Sequence, residues 1–175
     1  HARFVSALDG DEPLCRAAAT EDDPLRDGVV CGTVHDRNTA ALGGVAGHAG
    51  LFATAGDIAR LGNHLLAIDR DGSFDSAPPL VDRSTLRHAW SDRARGGTGH
   101  HLLGWDTPSG DPSSAGRIFQ KSDTVGHLGF TGTSIWIDRP RRQVVVLLTN
   151  RVYPSRQNDR IKPLRVAFHE AAAAP

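Results

Sequence analysis

A paired-strand pattern between residues 125 and 150 constrains this chain more than any other segment. Residues 134–137 are β-branched and aromatic, and residues 144–148 form an unbroken apolar run, so both stretches favour β-strands. Residues 138–142 between them read Asp-Arg-Pro-Arg-Arg, which is typical of a tight, charged turn. The pattern predicts a β-hairpin. With a further strand expected at residues 102–105, it predicts three antiparallel strands.

A titratable ring lies just before this hairpin. His127 is followed by Gly129 and Gly132, and glycine lets a ligand approach the main chain closely. Structural segments rarely need this arrangement, whereas the walls of active sites often do. We therefore predict that residues 127–133 line a functional site.

The element His127-Leu128-Gly129, followed by a hairpin, resembles the third motif of the serine β-lactamase and penicillin-binding-protein superfamily. That motif reads Lys-Thr-Gly in many members and His-Thr-Gly in a branch similar to class C β-lactamases, D-alanyl-D-alanine carboxypeptidases and esterases. The glycine-rich turn and helix at residues 34–61 and the strand-to-helix exit at residues 150–156 resemble the same branch, in the same order. The resemblance implies an α+β chain: the C-terminal part of a β-lactamase/transpeptidase-like fold, with an incomplete antiparallel sheet and packed helices.

Two motifs of that superfamily are missing from the chain. Lys121 and Lys162 are the only lysines, and neither has a serine three residues before it, so the nucleophile motif Ser-x-x-Lys does not occur. The second motif, Tyr-x-Asn or Ser-x-Asn, does not occur either. Since both precede the third motif in the family, the resemblance implies an upstream half that carries the nucleophile. We expect the C-terminal half of a serine hydrolase that cleaves amide, lactam or ester bonds through an acyl-enzyme and is inactive alone. The alternative is a degenerate, non-catalytic binding relative of the same fold.

The resemblance also implies roles for individual residues. His127 would orient polar groups of the substrate and transfer protons near neutral pH, and the alternative is a structural histidine. The N–H of Phe130 would form half of an oxyanion hole, while its ring could still pack in the core. Gly129, Thr131 and His48 are expected to contact the substrate, although for His48 a structural role, bonding to loop carbonyls, is the stronger alternative.

Leu128 departs from the family motif, which has threonine at this place. The change removes a hydroxyl that often faces a carboxylate of the substrate. Thr131 or Thr133 could compensate for it. The departure could equally indicate a preference for esters or amides that lack this carboxylate.

Composition and spacing exclude several classes of function. Acidic and basic residues balance at 20 each, so no overall field favours nucleic acid or an anionic membrane. No apolar run approaches the roughly 20 residues that span a bilayer, and export is left open. The chain has nine histidines but no His-Glu-x-x-His, and the adjacent His100 and His101 would point to opposite sides of a strand. We therefore expect no metal and no organic cofactor, and expect a small-molecule or peptide substrate and the upstream half of the polypeptide as partners.

The two cysteines are too few for a disulfide framework. We expect Cys15 and Cys31 to be unpaired, buried, small apolar residues, with a single bridge as the alternative.

The chain divides into four segments of a single C-terminal fragment. We expect residues 1–53 to form a loop-rich wall of the site, residues 54–100 to be helical, residues 101–150 to supply the antiparallel strands, and residues 158–175 to form the C-terminal helix.

Local signals place the helices within these segments. Thr54 and Asp57 have capping-box spacing, which predicts a helix that ends near Ile68. A short helix is expected at residues 84–90 and a loop, mobile and on the surface, at residues 107–116. The C-terminal helix is expected from residue 159, with Asn158 as its N-cap and with three residues facing the sheet: Leu164, Ala167 and Phe168.

Overall fold

The computed structural model describes residues 2–6, 16–72, 79–91 and 101–173. Helices and antiparallel strands both occur in these residues, which confirms the predicted α+β class. The strands are β1 (Arg3–Phe4), β2 (Asp22–Asp23), β3 (Gly28–Val29), β4 (Leu51–Phe52), β5 (Thr124–Leu128), β6 (Ser134–Asp138) and β7 (Gln143–Leu147). The helices are α1 (Arg37–Ala41), α2 (Ala55–Asp71), α3 (Arg83–Ala89) and α4 (Ile161–Ala173).

The main sheet contains β5, β6 and β7 in this order, and its strands are antiparallel throughout. The predicted hairpin is present as β6 and β7, with Trp136 opposite Val145. In the turn between them, the Arg141 N–H donates to Asp138 Oδ1 at 3.0 Å, as expected for aspartate at the start of a tight turn.

Residues 102–105 do not form the predicted strand. The Leu102 N–H donates to the Trp105 carbonyl at 2.7 Å, and Gly104 has a φ of +73°, so the chain turns back on itself here. The third strand of the sheet is β5 instead. It ends with the His127 motif, and on its outer edge Gly126 forms a bridge with Asp106. The candidate site therefore lies at the end of an edge strand.

Helices cover both faces of this sheet. Because successive side chains on a strand point to opposite faces, the neighbouring Trp136 and Ile137 are buried in two different clusters. Ile137 packs with Leu65 and Ile68 of α2, and Trp136 packs on the side of α4. Because helices cover both faces of the sheet, residues 144–148 are continuously apolar rather than alternating between apolar and polar.

Helix α2 begins with the predicted capping box. Thr54 Oγ1 accepts from the Asp57 N–H at 3.2 Å, and Asp57 Oδ2 accepts from the Thr54 N–H at 3.1 Å. The helix runs to Asp71, three residues beyond the expected end. Helix α3 lies where the short helix was expected. Helix α1 was not anticipated; Asp36 caps it by accepting from the Thr39 N–H at 2.7 Å.

The sheet-facing side of α4 differs from the prediction. Leu164 is 49% exposed and Ala167 is also exposed, and only Phe168 packs against the core as expected. The orientation of α4 follows from polar groups on its sheet side, which form hydrogen bonds with Arg165 and His169. The buried residues of α4 are Ile161, Arg165, His169 and Ala173.

Other expectations about the loops also need correction. The segment at residues 107–116 does not lie wholly on the surface as predicted, because Thr107 and Ala115 are buried. Cys31 is unpaired and exposed rather than buried, and Cys15 lies outside the described residues. In the part of the chain that the structure describes, no helix is long and apolar enough to cross a membrane.

Candidate active site

His127 lies near the end of β5 with its side chain exposed. Its Nδ1 is 2.9 Å from the Leu128 carbonyl oxygen. A carbonyl oxygen only accepts, so Nδ1 carries the proton in the neutral ring and Nε2 is left as an acceptor. The imidazole is therefore held in one tautomer, with its basic nitrogen available to a ligand.

The turn at residues 129–133 connects β5 to β6 and is closed by its own main chain. The Gly129 N–H donates to the Thr133 carbonyl at 2.8 Å, and the Gly132 N–H donates to the Gly129 carbonyl at 3.1 Å. A Cβ at Gly129 would overlap the Thr133 side chain, so this position requires glycine. Arg165 of α4 holds the same turn from behind, since its Nη2 donates to the Gly129 and Thr133 carbonyls at 2.8 Å each.

Phe130 presents its main chain and its ring outward. Among the described residues, no acceptor takes the Phe130 N–H. The side chain is 59% exposed, so the core packing considered for this ring does not occur. The ring lies instead between His35, stacked at 5.9 Å between centroids, and the Arg151 guanidinium, 4.3 Å from the ring centroid. Arg151 Nε also donates to the Phe130 carbonyl at 2.8 Å.

An ion pair between the buried Glu21 and the partly exposed Arg156 fixes the His35 ring that supports Phe130. Glu21 is 6% exposed and accepts from Arg156 through both oxygens, at 2.7 and 2.5 Å. Hydrogen bonding to Arg156 lowers the pKa of Glu21 to about 2, against the opposing effect of burial. The ionised carboxylate then accepts from His35 Nε2 at 2.8 Å. Residues 21 and 156 are far apart in sequence, so no local pattern indicated this support.

His48 has a structural position in the glycine-rich loop. Its Nε2 lies 3.2 Å from Asp36 Oδ1 and 3.1 Å from Thr39 Oγ1, at the start of α1. These partners are side chains rather than the loop carbonyls that we expected. Within the described residues, no hydrogen bond or ring contact joins His48 to the 127–133 segment.

The remaining predicted residues belong to the 129–133 turn. The Thr131 carbonyl accepts from the Arg151 N–H at 2.9 Å, and the Thr133 carbonyl accepts from Gly129 and Arg165. The structure thus brings His127, Gly129, Phe130 and Thr131 together.

A cleft of about 260 Å³ opens beside this turn, on the side of α4. Because His127 and Leu128 alternate on β5, the cleft lies on the Leu128 face and the imidazole lies on the other. Its charged lining consists of Asp159, which pairs with Lys162 at 3.0 Å, and two arginines, so positive charge is in excess. The lining residues are Leu128, Gly129, Phe130, Arg151, Asp159, Ile161, Lys162 and Arg165.

A serine–histidine contact elsewhere in the structure does not form a second site. His169 Nε2 lies 3.1 Å from Ser134 Oγ, but both residues are buried between the sheet and α4. His169 Nδ1 is bonded to the Ser114 carbonyl at 2.9 Å. No substrate could reach this serine, so the pair is part of the core.

Sequence reasoning missed the residues that hold the candidate site in place. Arg165 and His169 are four residues apart and share a helical face with Ile161 and Ala173, so helical spacing could have grouped them. The predicted sheet-facing side of this helix rested on its apolar residues alone. His35, Glu21 and Arg156 gave no comparable signal, because their contact joins distant segments.

Over residues 2–6, 16–72, 79–91 and 101–173, no group of three or more His, Cys, Asp or Glu side chains is arranged to hold a metal ion. His101 lies 3.5 Å from Asp106, and His100 falls outside the described residues.

Comparison with known proteins identifies the family of this chain. A sequence model of the family described as "Beta-lactamase" matches residues 5–168. A protein of Salmonella enteritidis PT4 named "Putative D-alanyl-D-alanine carboxypeptidase" is 30% identical over 93% of this chain and 39% of its own length. A protein of Escherichia coli strain K12 with the same name is 30% identical over 86% of this chain and 36% of its own length. The chain thus spans less than two fifths of the length of these relatives.

Proposed function

This chain belongs to the β-lactamase family, and we propose that it forms one wall of the active site of a serine hydrolase that works through an acyl-enzyme. The observation that carries this proposal is the N–H of Phe130, for which no described residue provides an acceptor, in the turn that directly follows the exposed His127 at the end of an edge strand. An acyl-transfer enzyme needs such a donor, a proton carrier and a nucleophile.

The Phe130 N–H is proposed as half of the oxyanion hole. One such donor contributes about 3 kcal/mol to the stabilisation of the transition state. Its supporting turn is held by hydrogen bonds from Arg165 and Arg151, so the donor would not need to reorganise during the reaction. The second donor would come from the nucleophilic serine itself.

His127 is proposed to orient the substrate and to transfer protons to or from the reacting groups. Its bond to the Leu128 carbonyl leaves Nε2 as the acceptor, on an exposed ring. A histidine side chain can take up and release a proton near neutral pH, which suits this role. This acyl transfer uses no metal and no organic cofactor.

The nucleophile is proposed to lie in an upstream part of the same polypeptide. The chain covers only 39% of the length of its Salmonella relative, which leaves room for a Ser-x-x-Lys motif before it. In this arrangement residues 1–53 would form a loop-rich wall of the site.

The substrate is proposed to carry a carboxylate near the scissile amide, lactam or ester bond. The support for this carboxylate comes from the relatives rather than from the positively charged cleft beside Leu128, which opens on the α4 side, opposite the His127 imidazole. A D-alanyl peptide, the substrate class in the names of the relatives, has such a carboxylate.

Acylation of the full-length polypeptide tests this proposal. It is incubated with a chromogenic cephalosporin, a D-alanyl-D-alanine peptide and short-chain p-nitrophenyl esters, and the acyl-enzyme is detected by intact mass. We expect a mass increase on an upstream serine. His127→Gln should lower turnover about a hundredfold, because general acid–base groups contribute at least that much. His88→Gln, on the exposed face of α3, is the matched control and should leave turnover unchanged.

The alternative predicts a different result. A degenerate binding relative would show saturable binding of one of these compounds without a mass increase. An upstream sequence that lacks Ser-x-x-Lys would also rule out the proposed acyl transfer.

A further inference from the structure

We infer that Arg165 is a positioning residue for the oxyanion donor, and that it acts through the peptide group that joins Gly129 to Phe130. The inference rests on the proposed function, because it assigns a role to a residue that would not itself touch the substrate. It goes beyond that function by naming the residue that orients and polarises the Phe130 N–H.

The contacts place Arg165 directly behind this peptide group. Its Nη2 donates to the Gly129 carbonyl and to the Thr133 carbonyl, at 2.8 Å each. The Gly129 N–H donates to the same Thr133 carbonyl at 2.8 Å. One guanidinium nitrogen therefore joins the two ends of the turn, and removing it would leave the Gly129 carbonyl with the Gly132 N–H, at 3.1 Å, as its one described donor.

The Gly129 carbonyl and the Phe130 N–H belong to a single peptide group. Among the described residues, cis peptide bonds occur only before prolines, at Pro112 and Pro154, so this peptide is trans. In a trans peptide the C=O and the N–H point in opposite directions. A carbonyl directed at Arg165 on the α4 side therefore directs the Phe130 N–H away from it, where no described residue accepts it.

A cation at the carbonyl end also strengthens the donor at the other end. Hydrogen bonds to charged groups are stronger than neutral ones, and bonds through a shared group polarise one another. The guanidinium draws electron density toward the Gly129 oxygen, which leaves the Phe130 N–H more positive. The same positive charge stabilises an oxyanion that accepts a hydrogen bond from this N–H.

The environment of Arg165 makes an arginine costly at this position. The side chain is buried, at 9% exposure, and no carboxylate among the described residues pairs with it. Its Nε lacks a partner in the described structure. Burial and the nearby Arg151 both lower the pKa of Arg165. A buried cation without a counter-ion is costly, and an apolar residue here would remove that cost.

Nuclear magnetic resonance on the full-length polypeptide can observe the peptide directly. Gly-Phe occurs once in this chain, at residues 129–130, so carbonyl-labelled glycine combined with amide-labelled phenylalanine marks this peptide. Phe130→Leu assigns the signal by removing it. We expect Arg165→Met to shift the Phe130 amide proton upfield, since the N–H becomes less polarised. Arg160→Met, an exposed arginine at the start of the same helix region, is the matched control and should leave the signal unchanged.

Steady-state kinetics tests the consequence for the reaction. Arg165→Met should lower kcat about tenfold with KM unchanged, because weakening an oxyanion donor affects the transition state more than the bound substrate. Arg165→Lys keeps the charge but lacks the planar fork, so its kcat should lie between those of wild type and Arg165→Met. Arg160→Met should have the kcat of wild type.

The outcomes separate this inference from the proposed function. If wild type forms no acyl-enzyme, the proposed function fails, and the amide shift still decides whether Arg165 polarises the peptide. If wild type is active and Arg165→Met retains both its kcat and its Phe130 amide shift, the inference is wrong while the function stands. A loss confined to thermal stability or KM would also overturn it. If Arg165→Met does not fold, Arg165→Lys is compared with the control Arg160→Lys. A lowered kcat of Arg165→Lys together with an upfield shift of the Phe130 amide proton supports the inference. A kcat and an amide shift equal to those of wild type contradict it.

Discussion

His169 shows how a single buried residue of α4 is held in one protonation state. The Ser114 carbonyl can only accept, so Nδ1 carries the proton, and Nε2 then accepts from the Ser134 hydroxyl. Burial lowers the pKa of His169, the bond to Ser114 opposes this change, and the charge of Arg165 lowers the pKa further. The neutral ring is therefore the form that belongs to the folded chain.

This protonation state predicts a dependence of stability on pH. The unfolded residue has a pKa of about 6.5, whereas the pKa of the folded residue is lower. Above pH 6.5 both states are neutral and the contribution of His169 is complete. As the pH falls below 6.5 the unfolded chain takes up the proton first, so the free energy of unfolding decreases until the folded pKa is passed.

Thermal melts of the full-length polypeptide between pH 5 and 8 measure this effect. His169→Gln should lose part of the decline below about pH 6.5, the pKa of unfolded histidine. His88→Gln, which changes an exposed histidine, should decline like wild type. Equal pH dependence in His169→Gln and wild type would show that the ring titrates alike in both states.

At the scale of the elements, α2 packs tightly against the sheet at Gly62. A Cβ built on this residue would lie 2.6 Å from Val144 Cγ1 and 3.4 Å from Ile135 Cδ1. Glycine inside a helix costs about 1 kcal/mol relative to alanine, so packing rather than helix propensity explains a glycine at this position. Helix α2 packs so close to the sheet at this point that a residue with a Cβ would overlap Val144.

A pair of glycine substitutions tests this packing. Gly62→Ala should lower the free energy of unfolding by about 1–3 kcal/mol, because the added methyl forces the helix away from β7. Gly56→Ala lies in the first turn of the same helix, where a Cβ would meet only Thr54 Oγ1 at 3.7 Å. It should be neutral or stabilising by up to about 1 kcal/mol. Urea unfolding of the two variants compares them, and equal effects would contradict the close approach.

At the scale of the whole molecule, the main sheet has two exposed edges. Among the described residues β7 pairs only with β6, and the outer edge of β5 is bridged only at Gly126. Unpaired strand edges are templates for association with other chains. The upstream half proposed above would cover part of this surface.

We therefore predict that the isolated 175-residue chain is marginally stable or aggregates. Light scattering should show concentration-dependent association of the isolated chain and a cooperative melt of the full-length polypeptide. Leu148→Lys, 39% exposed at the end of β7, should reduce this association, because lysine at a strand edge opposes pairing. Leu164→Lys adds the same charge on the exposed face of α4 and should have a smaller effect. A soluble, monomeric isolated chain that melts cooperatively would refute the prediction.

The sequence alone was sufficient for features that depend on neighbouring residues. The β6–β7 hairpin and the Thr54 capping box follow from local chemistry, and the order of three motifs was enough to recognise the family that the comparisons show. Each of these signals lies within a short window, where spacing determines which groups can meet.

Only the tertiary structure decided which distant segments support the candidate site. It made β5 the third strand, turned Arg165 and His169 toward the sheet, and joined Glu21 to Arg156 across 135 residues beneath the His35 and Phe130 rings. These contacts depend on which buried polar groups find partners after the helices and strands pack. No local pattern contains that information. The sequence does not distinguish a buried arginine from an exposed one, because burial depends on hydrogen-bond acceptors that distant segments supply.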